Sequence, residues 1–378
     1  MNYNMDESTK QWTRCTWEKL QNKLLAESKR IGDKIPYIAE NGRYLEDKAE
    51  TDITWWTNGF WPGMLWQMYH ATKEENYKTI AQAVEGKLDA ALDQYRGLHH
   101  DVGFMWLHSA VADYRLTKNE RSLARGLHAA DLLAGRYNPR GKYIRSWNKD
   151  RAGWVIIDSM MNIPLLYWAS KVSGDPRCQY MAMDHADTLL KYTVRGDGSC
   201  NHIIVLDPEN GELLKTPGGQ GYGSGSSWSR GQAWAIYGFA LSYRYTKKKE
   251  YLEAAKRVAH YFLAEVSRTG YVSVVDFRAP KDPVYWDTTA SACAACGLLE
   301  ITEYVPEYEK SLYFEGAMNI LKALDKSYCN WEPDYDSILQ MGTASYEGEK
   351  DRHVPIIYGD YFYLEAVLRL LEKSFIIW

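Results

Sequence analysis

Twelve stretches of this chain carry apolar residues at helical spacing, and their character alternates along the sequence, which leaves few architectures open. They cover approximately residues 7–31, 58–72, 76–97, 101–117, 119–137, 157–172, 175–194, 229–246, 248–266, 287–304, 307–328 and 359–374. The even-numbered stretches are apolar around most of their circumference, as in FWPGMLWQMY, IIDSMMNIPLLYWAS and TTASACAACGLLEI. From the third on, the odd-numbered stretches are charged on one side, as in KKEYLEAAKRVAHYFLAEV. A helix that is apolar all round has to be buried, whereas an amphipathic one covers it from outside. Several even stretches pass through a short polar turn into the next odd one: HATKEENY at 70–77, YRLTKNERS at 114–122, SKVSGDPRCQY at 170–180 and YRYTKKKEY at 243–251. Short turns make antiparallel neighbours. The expectation is therefore an all-α chain, six inner–outer helix pairs closed into a single-domain (α/α)6 barrel over residues 1–378. All inner helices then run the same way, and their N-termini meet at one mouth with the long loops that feed them.

Composition narrows the function classes. Hydrophobic residues at 46% and charged ones at 25% exclude a disordered or fibrous chain. A net charge of −4 with no basic stripe argues against nucleic acid as a partner. No run approaches the roughly 18 apolar residues that a membrane span needs. The first residues, MNYNMDESTK, lack a basic segment followed by an apolar one, and the six cysteines are scattered, so a cytoplasmic protein with free thiols is expected. The aromatic set is heavy in Trp (15) and Tyr (29) and light in Phe (8), which suits a half-wet sugar cleft better than a dry core.

The starts of the even stretches carry the chemistry. They are Trp56-Thr57-Asn58-Gly59, His99-His100-Asp101, Asp158, Trp228-Ser229-Arg230-Gly231-Gln232, Trp286-Asp287-Thr288 and Tyr358-Gly359-Asp360. Carboxylates, an arginine, histidines and indoles around one hollow describe a carbohydrate site, where rings stack on sugar faces and polar groups read hydroxyls. For Asp287 and Asp360 an N-cap role is favoured. Asp158 closes the apolar run Trp154-Val155-Ile156-Ile157, where desolvation would raise its pKa and fit it as a proton donor. Arg230 either pairs with Asp287 or forks onto a substrate carboxylate. Cys293 and Cys296 are read as core, and His99-His100 as neighbours that seldom aim at one ion, so no metal is expected. NHIIVLDPENGELL at 201–214 alternates and turns at Asn210-Gly211, a β-hairpin insert. The glycine-rich GGQGYGSGSS that follows lacks the lysine of a phosphate loop and is read as a flexible lip.

These same residues resemble the unsaturated glucuronyl hydrolases, glycoside hydrolase family 88. The resemblance rests on WTNGFWPGMLW, HHDVGF, IIDSMMNIPLL, VRGDGSCNH, DPENGE, SSWSRGQAWAIYGFAL, ACGLLEI and YGDYFYLEAVLRL, all in family order across nearly the whole chain. It implies the (α/α)6 fold and places the family's acid/base on Asp158 and its substrate-positioning carboxylate on Asp101, beside His100. Substrate contacts are implied for Trp56, Trp147, His202, Gln220, Trp228, Arg230, Trp234 and Tyr346. Asn58 and Pro62 stand where a relative can carry Asp and Ser. The implied substrate is an oligosaccharide with a 4,5-unsaturated uronic acid at its non-reducing end, cleaved by hydration of the vinyl ether, with no metal or organic cofactor. The expected state is a monomer or weak homo-oligomer. Two other classes stay open: a neighbouring enzyme on the same barrel (an unsaturated rhamnogalacturonyl hydrolase or an N-acyl sugar epimerase), and a non-enzymatic sugar-binding toroid. An epimerase would want His as its proton shuttle, and a toroid would not need a buried Asp158. The segment SYEGEKDRH at 345–353 is expected to border the leaving sugar.

Overall fold

The computed structural model describes Tyr3 and residues 5–378. Twelve main helices follow the periodicity. They are α1 (Glu7–Ile31), α2 (Phe60–Thr72), α3 (Glu75–Lys87, continued by Asp89–Gln94), α4 (Val102–Trp106 through Ala112–Thr117), α5 (Glu120–Ala134) and α6 (Pro164–Ser173). The second half adds α7 (Arg177–Tyr192), α8 (Ser229–Thr246), α9 (Lys249–Val266), α10 (Thr288–Thr302), α11 (Glu307–Ser327) and α12 (Ile357–Leu370).

The even helices form a closed inner ring: α2 packs on α4, then α6, α8, α10 and α12 follow, and α12 returns to α2. Each odd helix backs the inner one before it, and α1 backs α12, so the beginning and the end of the chain complete the same pair. This is the (α/α)6 barrel. All residues of α10 are buried, and its Ala, Ser, Cys and Gly side chains are small enough to let α8 and α12 approach from both sides. Cys293 and Cys296 are core residues there, at 0% exposure.

Two inner helices depart from the regular spans read in the sequence. In α4, residues Leu107–Val111 form a π turn, with His108 Nδ1 2.7 Å from the Phe104 carbonyl. Before α6, Ile157–Met161 form a 3-10 turn, because Pro164 at the helix start has no N–H and fits only the first turn. Asp158 thus sits on a tight turn and not on a regular helix.

The hairpin exists, but as part of a larger sheet. With β1 (Tyr137–Asn138) and β2 (Tyr143–Ile144) paired separately, β3 (Trp154–Ile156), β4 (Ile203–Leu206) and β5 (Leu213–Lys215) form an antiparallel sheet in that order. The run 154–156, which the periodicity left outside the expected helix at 157–172, is therefore a strand. Alternation sends Val155, Ile204 and Leu206 into the main core, while Ile156, Ile203 and Val205 form a separate cluster on the other face.

One end of the ring is stoppered. Trp378 lies parallel to Phe362, with 5.9 Å between ring centroids, and its Nε1 donates to Glu365 Oε2 at 2.9 Å. Arg369 bridges Glu300 and Glu365, and Arg244 joins Glu300, all within the same buried cluster. The inner helices begin at the opposite end.

Candidate active site

Asp158 is held in place from two sides. The β3–β4 pairing ends with the Ile157 amide donating to the His202 carbonyl at 3.0 Å, which brings the side chains of Asp158 and His202 together. Ser159 donates to the Ile156 carbonyl and lies 2.7 Å from His185 Nε2 on α7, and His185 Nδ1 accepts from the Ile144 amide. The Asp158 carboxyl is 13% exposed, and its Oδ1 has no hydrogen-bond partner; it lies 3.7 Å from His202 Nε2. Burial, reinforced by the charge of Asp101 and opposed by Arg230, pushes this carboxyl up to about 7.

His202 is a neutral donor. Its Nδ1 accepts the Gln220 amide at 3.0 Å, so the proton is assigned to Nε2, the atom facing Asp158. Burial and the nearby Arg230 push its pKa down to about 3. The approach of the loop requires Gly219, in the left-handed region at φ +62°: a Cβ there would lie 2.2 Å from His202 Nδ1. The glycine-rich segment is thus not a loose lip. It is tied to His202 through Gln220, to Asp276 through the Tyr222 and Ser227 amides, and to Ala344 through Gln220 Nε2.

Asp101 precedes α4 without capping it, which leaves its carboxylate for side-chain partners. His99 Nδ1 lies 3.0 Å from one oxygen, His100 Nε2 3.3 Å from the other, and Asn162 Nδ2 donates to Oδ1 at 3.2 Å. Burial acts to raise its pKa, but His100, His99 and the Asn162 hydrogen bond outweigh it and hold the group below the usual carboxylate range. Burial drives His100 down to about 4. One carboxyl is therefore kept ionised, while the other exchanges its proton near neutral pH. The ligand atoms of His99, His100 and Asp101 lie within 4.8 Å of one another, so the expectation that neighbouring histidines aim apart does not hold. This trio is the group with spacing fit to ligate an ion among the described residues.

Asn162 was not singled out in the sequence, yet it joins both acids. Its Nδ2 also donates to the Asp158 carbonyl at 3.2 Å, while its Oδ1 accepts the Phe104 amide at 2.8 Å. Gly103 makes room, since a Cβ there would come within 2.4 Å of Asn162 Cα. The available signal was an amide inside the apolar run MMNIPLL, because a buried polar group has to find partners.

The remaining positions surround this pair. Arg230, buried, donates through Nη1 to Asp287 Oδ2 at 3.1 Å and to the Thr343 carbonyl, and through Nη2 to the Ala344 carbonyl. Of its two readings, the pairing with Asp287 is the one present. Asp287 also caps α10, whereas Asp360 caps nothing: it accepts the Ile338 and Leu339 amides from inside the first turn of α12. Tyr346 donates its amide to the Gln220 carbonyl and packs against Tyr222 and Tyr285; Arg352 donates to its carbonyl. Trp56 stands half-buried against Phe104 and Tyr358. Trp147 lies over the Ile156–Ile203–Val205 cluster beside Trp154. Trp228 (1% exposed) packs on His202 with 4.2 Å between centroids and the rings tilted by 38°, and Trp234 (0%) packs on Phe104 and Phe362, so both back the hollow.

Comparison with known proteins identifies the family. The profile of Glycosyl Hydrolase Family 88 matches residues 28–279. The unsaturated glucuronyl hydrolase of Bacillus sp. (strain GL1) is 38% identical over 351 residues, covering 90% of this chain and 92% of that one. An unsaturated chondroitin disaccharide hydrolase of Streptococcus pyogenes serotype M1 is 36% identical, covering 86% and 83% of the two chains. A solved structure of an unsaturated glucuronyl hydrolase variant from Streptococcus agalactiae, complexed with dGlcA-GalNAc6S, superposes with a TM-score of 0.85 at 32% identity, covering 99% of this chain and 95% of that one. With the profile spanning residues 28–279 and a relative 38% identical over 90% of this chain, this chain belongs to glycoside hydrolase family 88.

Proposed function

We propose that this chain is a single-domain unsaturated glucuronyl hydrolase. It releases the 4,5-unsaturated uronic acid from the non-reducing end of lyase-generated oligosaccharides of the glycosaminoglycan type. The observation that carries this reading is the Asp158 carboxyl: buried, raised to about 7, with Oδ1 unpartnered and facing His202.

The reaction needs one carboxyl in two protonation states. Protonated Asp158 gives its proton to carbon 4 of the vinyl ether as positive charge builds at carbon 5. The resulting carboxylate takes a proton from water as that water's oxygen bonds to carbon 5, which restores the acid. The hemiketal so formed opens and the glycosidic bond breaks without further catalysis. A carboxyl pKa near neutrality serves both half-reactions. Ionised Asp101, beside His100, holds the sugar hydroxyls. His202 Nε2–H orients the water or the uronate, Gln220 and Arg230 complete that polar side with Tyr346, and Trp56 and Trp147 form its walls, with the buried Trp228 and Trp234 behind them.

One ring supplies every one of these residues, which supports a monomer or weak homo-oligomer. Six free cysteine thiols support a reducing, cytoplasmic setting. Among the described residues no helix is long and apolar enough to cross a membrane. The test is loss of the double bond's ultraviolet absorbance on mixing the protein with a panel of lyase-generated unsaturated disaccharides, sulfated and unsulfated. Wild type is expected to consume at least one of them and Asp158→Asn none. Wild-type inertness across the panel, or an Asn variant with near wild-type turnover, would overturn the assignment.

A further inference from the structure

The three-stranded sheet has a second face, and of the residues on it only Trp147 belongs to the site around Asp158. On it one cross-strand row runs Trp154, Val205, Lys215, and the next pairs Ile156 with Ile203. Trp147 and Trp154 cover the small apolar cluster beneath and remain half-buried, with 5.9 Å between their centroids. The Arg151 guanidinium sits 5.0 Å from both ring centroids, and Lys215 Nζ lies 5.4 Å from that of Trp154. Both cations are exposed, and neither makes a salt bridge among the described residues. The face is continuous with the site: Asp158 follows β3 by two residues, and His202 immediately precedes β4.

Two indoles offer apolar area for sugar rings, and two unneutralised cations held against them offer charge for an anionic substituent. Resting on the function proposed above, we infer that this face binds an anionic sugar, bearing a sulfate ester or a uronate, within the leaving portion of an oligosaccharide longer than a disaccharide. Arg151 and Lys215 contact the anion and Trp154 carries the ring, while Trp147 is shared with the sugar next to the cleaved bond. The face then sets chain-length and charge preference without taking part in hydration.

The test is the double variant Arg151→Gln/Lys215→Gln, which removes charge and keeps most of the side-chain volume. Kinetics are measured on an unsaturated disaccharide, on a sulfated unsaturated tetrasaccharide carrying an internal uronate, and on its desulfated form. For the disaccharide, KM and kcat are expected to be unchanged. For the sulfated tetrasaccharide, KM should rise about tenfold at low salt with kcat retained, and high salt should erase the difference, as for partly exposed charge contacts. If the desulfated tetrasaccharide is insensitive to the substitutions, the ligand is the sulfate; if it is equally sensitive, the ligand is the uronate. An unchanged tetrasaccharide KM, or an equal loss on the disaccharide, would overturn the inference. Wild-type failure on the disaccharide would instead sink the proposed function. Calorimetric binding of the same tetrasaccharide to Asp158→Asn, with and without the two Gln substitutions, reads the face independently of turnover.

Discussion

Replacing Asp158 by Asn should trade activity for stability above neutral pH. The carboxyl is raised from 3.8 to about 7, with burial as the leading cause, so the folded state resists its ionisation. Below pH 3.8 both folded and unfolded chains hold the proton and the group costs nothing. Between that value and about 7 the unfolded chain releases its proton while the folded one keeps it, so stability falls as pH rises, by about 1.4 kcal/mol per unit. Above about 7 both forms are ionised and the whole penalty, about 4 kcal/mol, is in place. At 13% exposure the side chain is poorly screened by solvent, so little of this is lost. Asn carries no charge, so the stability of the variant relative to wild type should be flat in acid, climb by about 4 kcal/mol towards neutrality, and level off. For a chain of 378 residues that corresponds to about 5 °C in Tm. The assay is paired thermal or denaturant unfolding at about pH 4, 6 and 8, with turnover measured alongside and expected to drop at least about a hundredfold. A stability difference that does not change with pH would refute the claim that this carboxyl is desolvated.

The neighbours of Asp158 give related outcomes. Asp101→Asn removes a negative charge that helps raise Asp158, so the protonated fraction falls at a given pH and the basic limb of the kcat/KM profile should move to lower pH; a limb that stays in place contradicts the coupling. Asn162→Leu strands the Phe104 amide and removes one donor to Asp101, and should cost about 1–3 kcal/mol in denaturant unfolding together with a fall in kcat. Retention of both wild-type stability and kcat would show that the bridge between the two acids is dispensable.

The ring was readable because it depends on periodicity, which is local. Five apolar stretches each followed by an amphipathic one, with the sixth closing on the first helix, leave little choice but an inner and an outer layer. The helices α1 through α12 follow the expected order, with the π turn in α4 and the late start of α6 as the departures. The Asn210-Gly211 turn was equally local, with Gly211 at φ +76°. Where the reading failed, the deciding partner was remote. The run 154–156 became a strand only because Ile203–Leu206 lies beside it, and Asp360 left its own helix start for amides at 338 and 339. Asn162 shows the same limit, since its bond to Asp101 spans 61 residues.

What the sequence determined by itself was therefore the set of elements and the chemistry gathered at their starts, because helical faces, turn residues and motif order are properties of neighbouring residues. Tertiary structure alone decided the state of each group. Which acid keeps its proton, which histidine nitrogen carries one, and which arginine hydrogens are spent on Asp287 depend on dehydration and partners supplied by segments far along the chain. Those quantities exist only once the ring has closed.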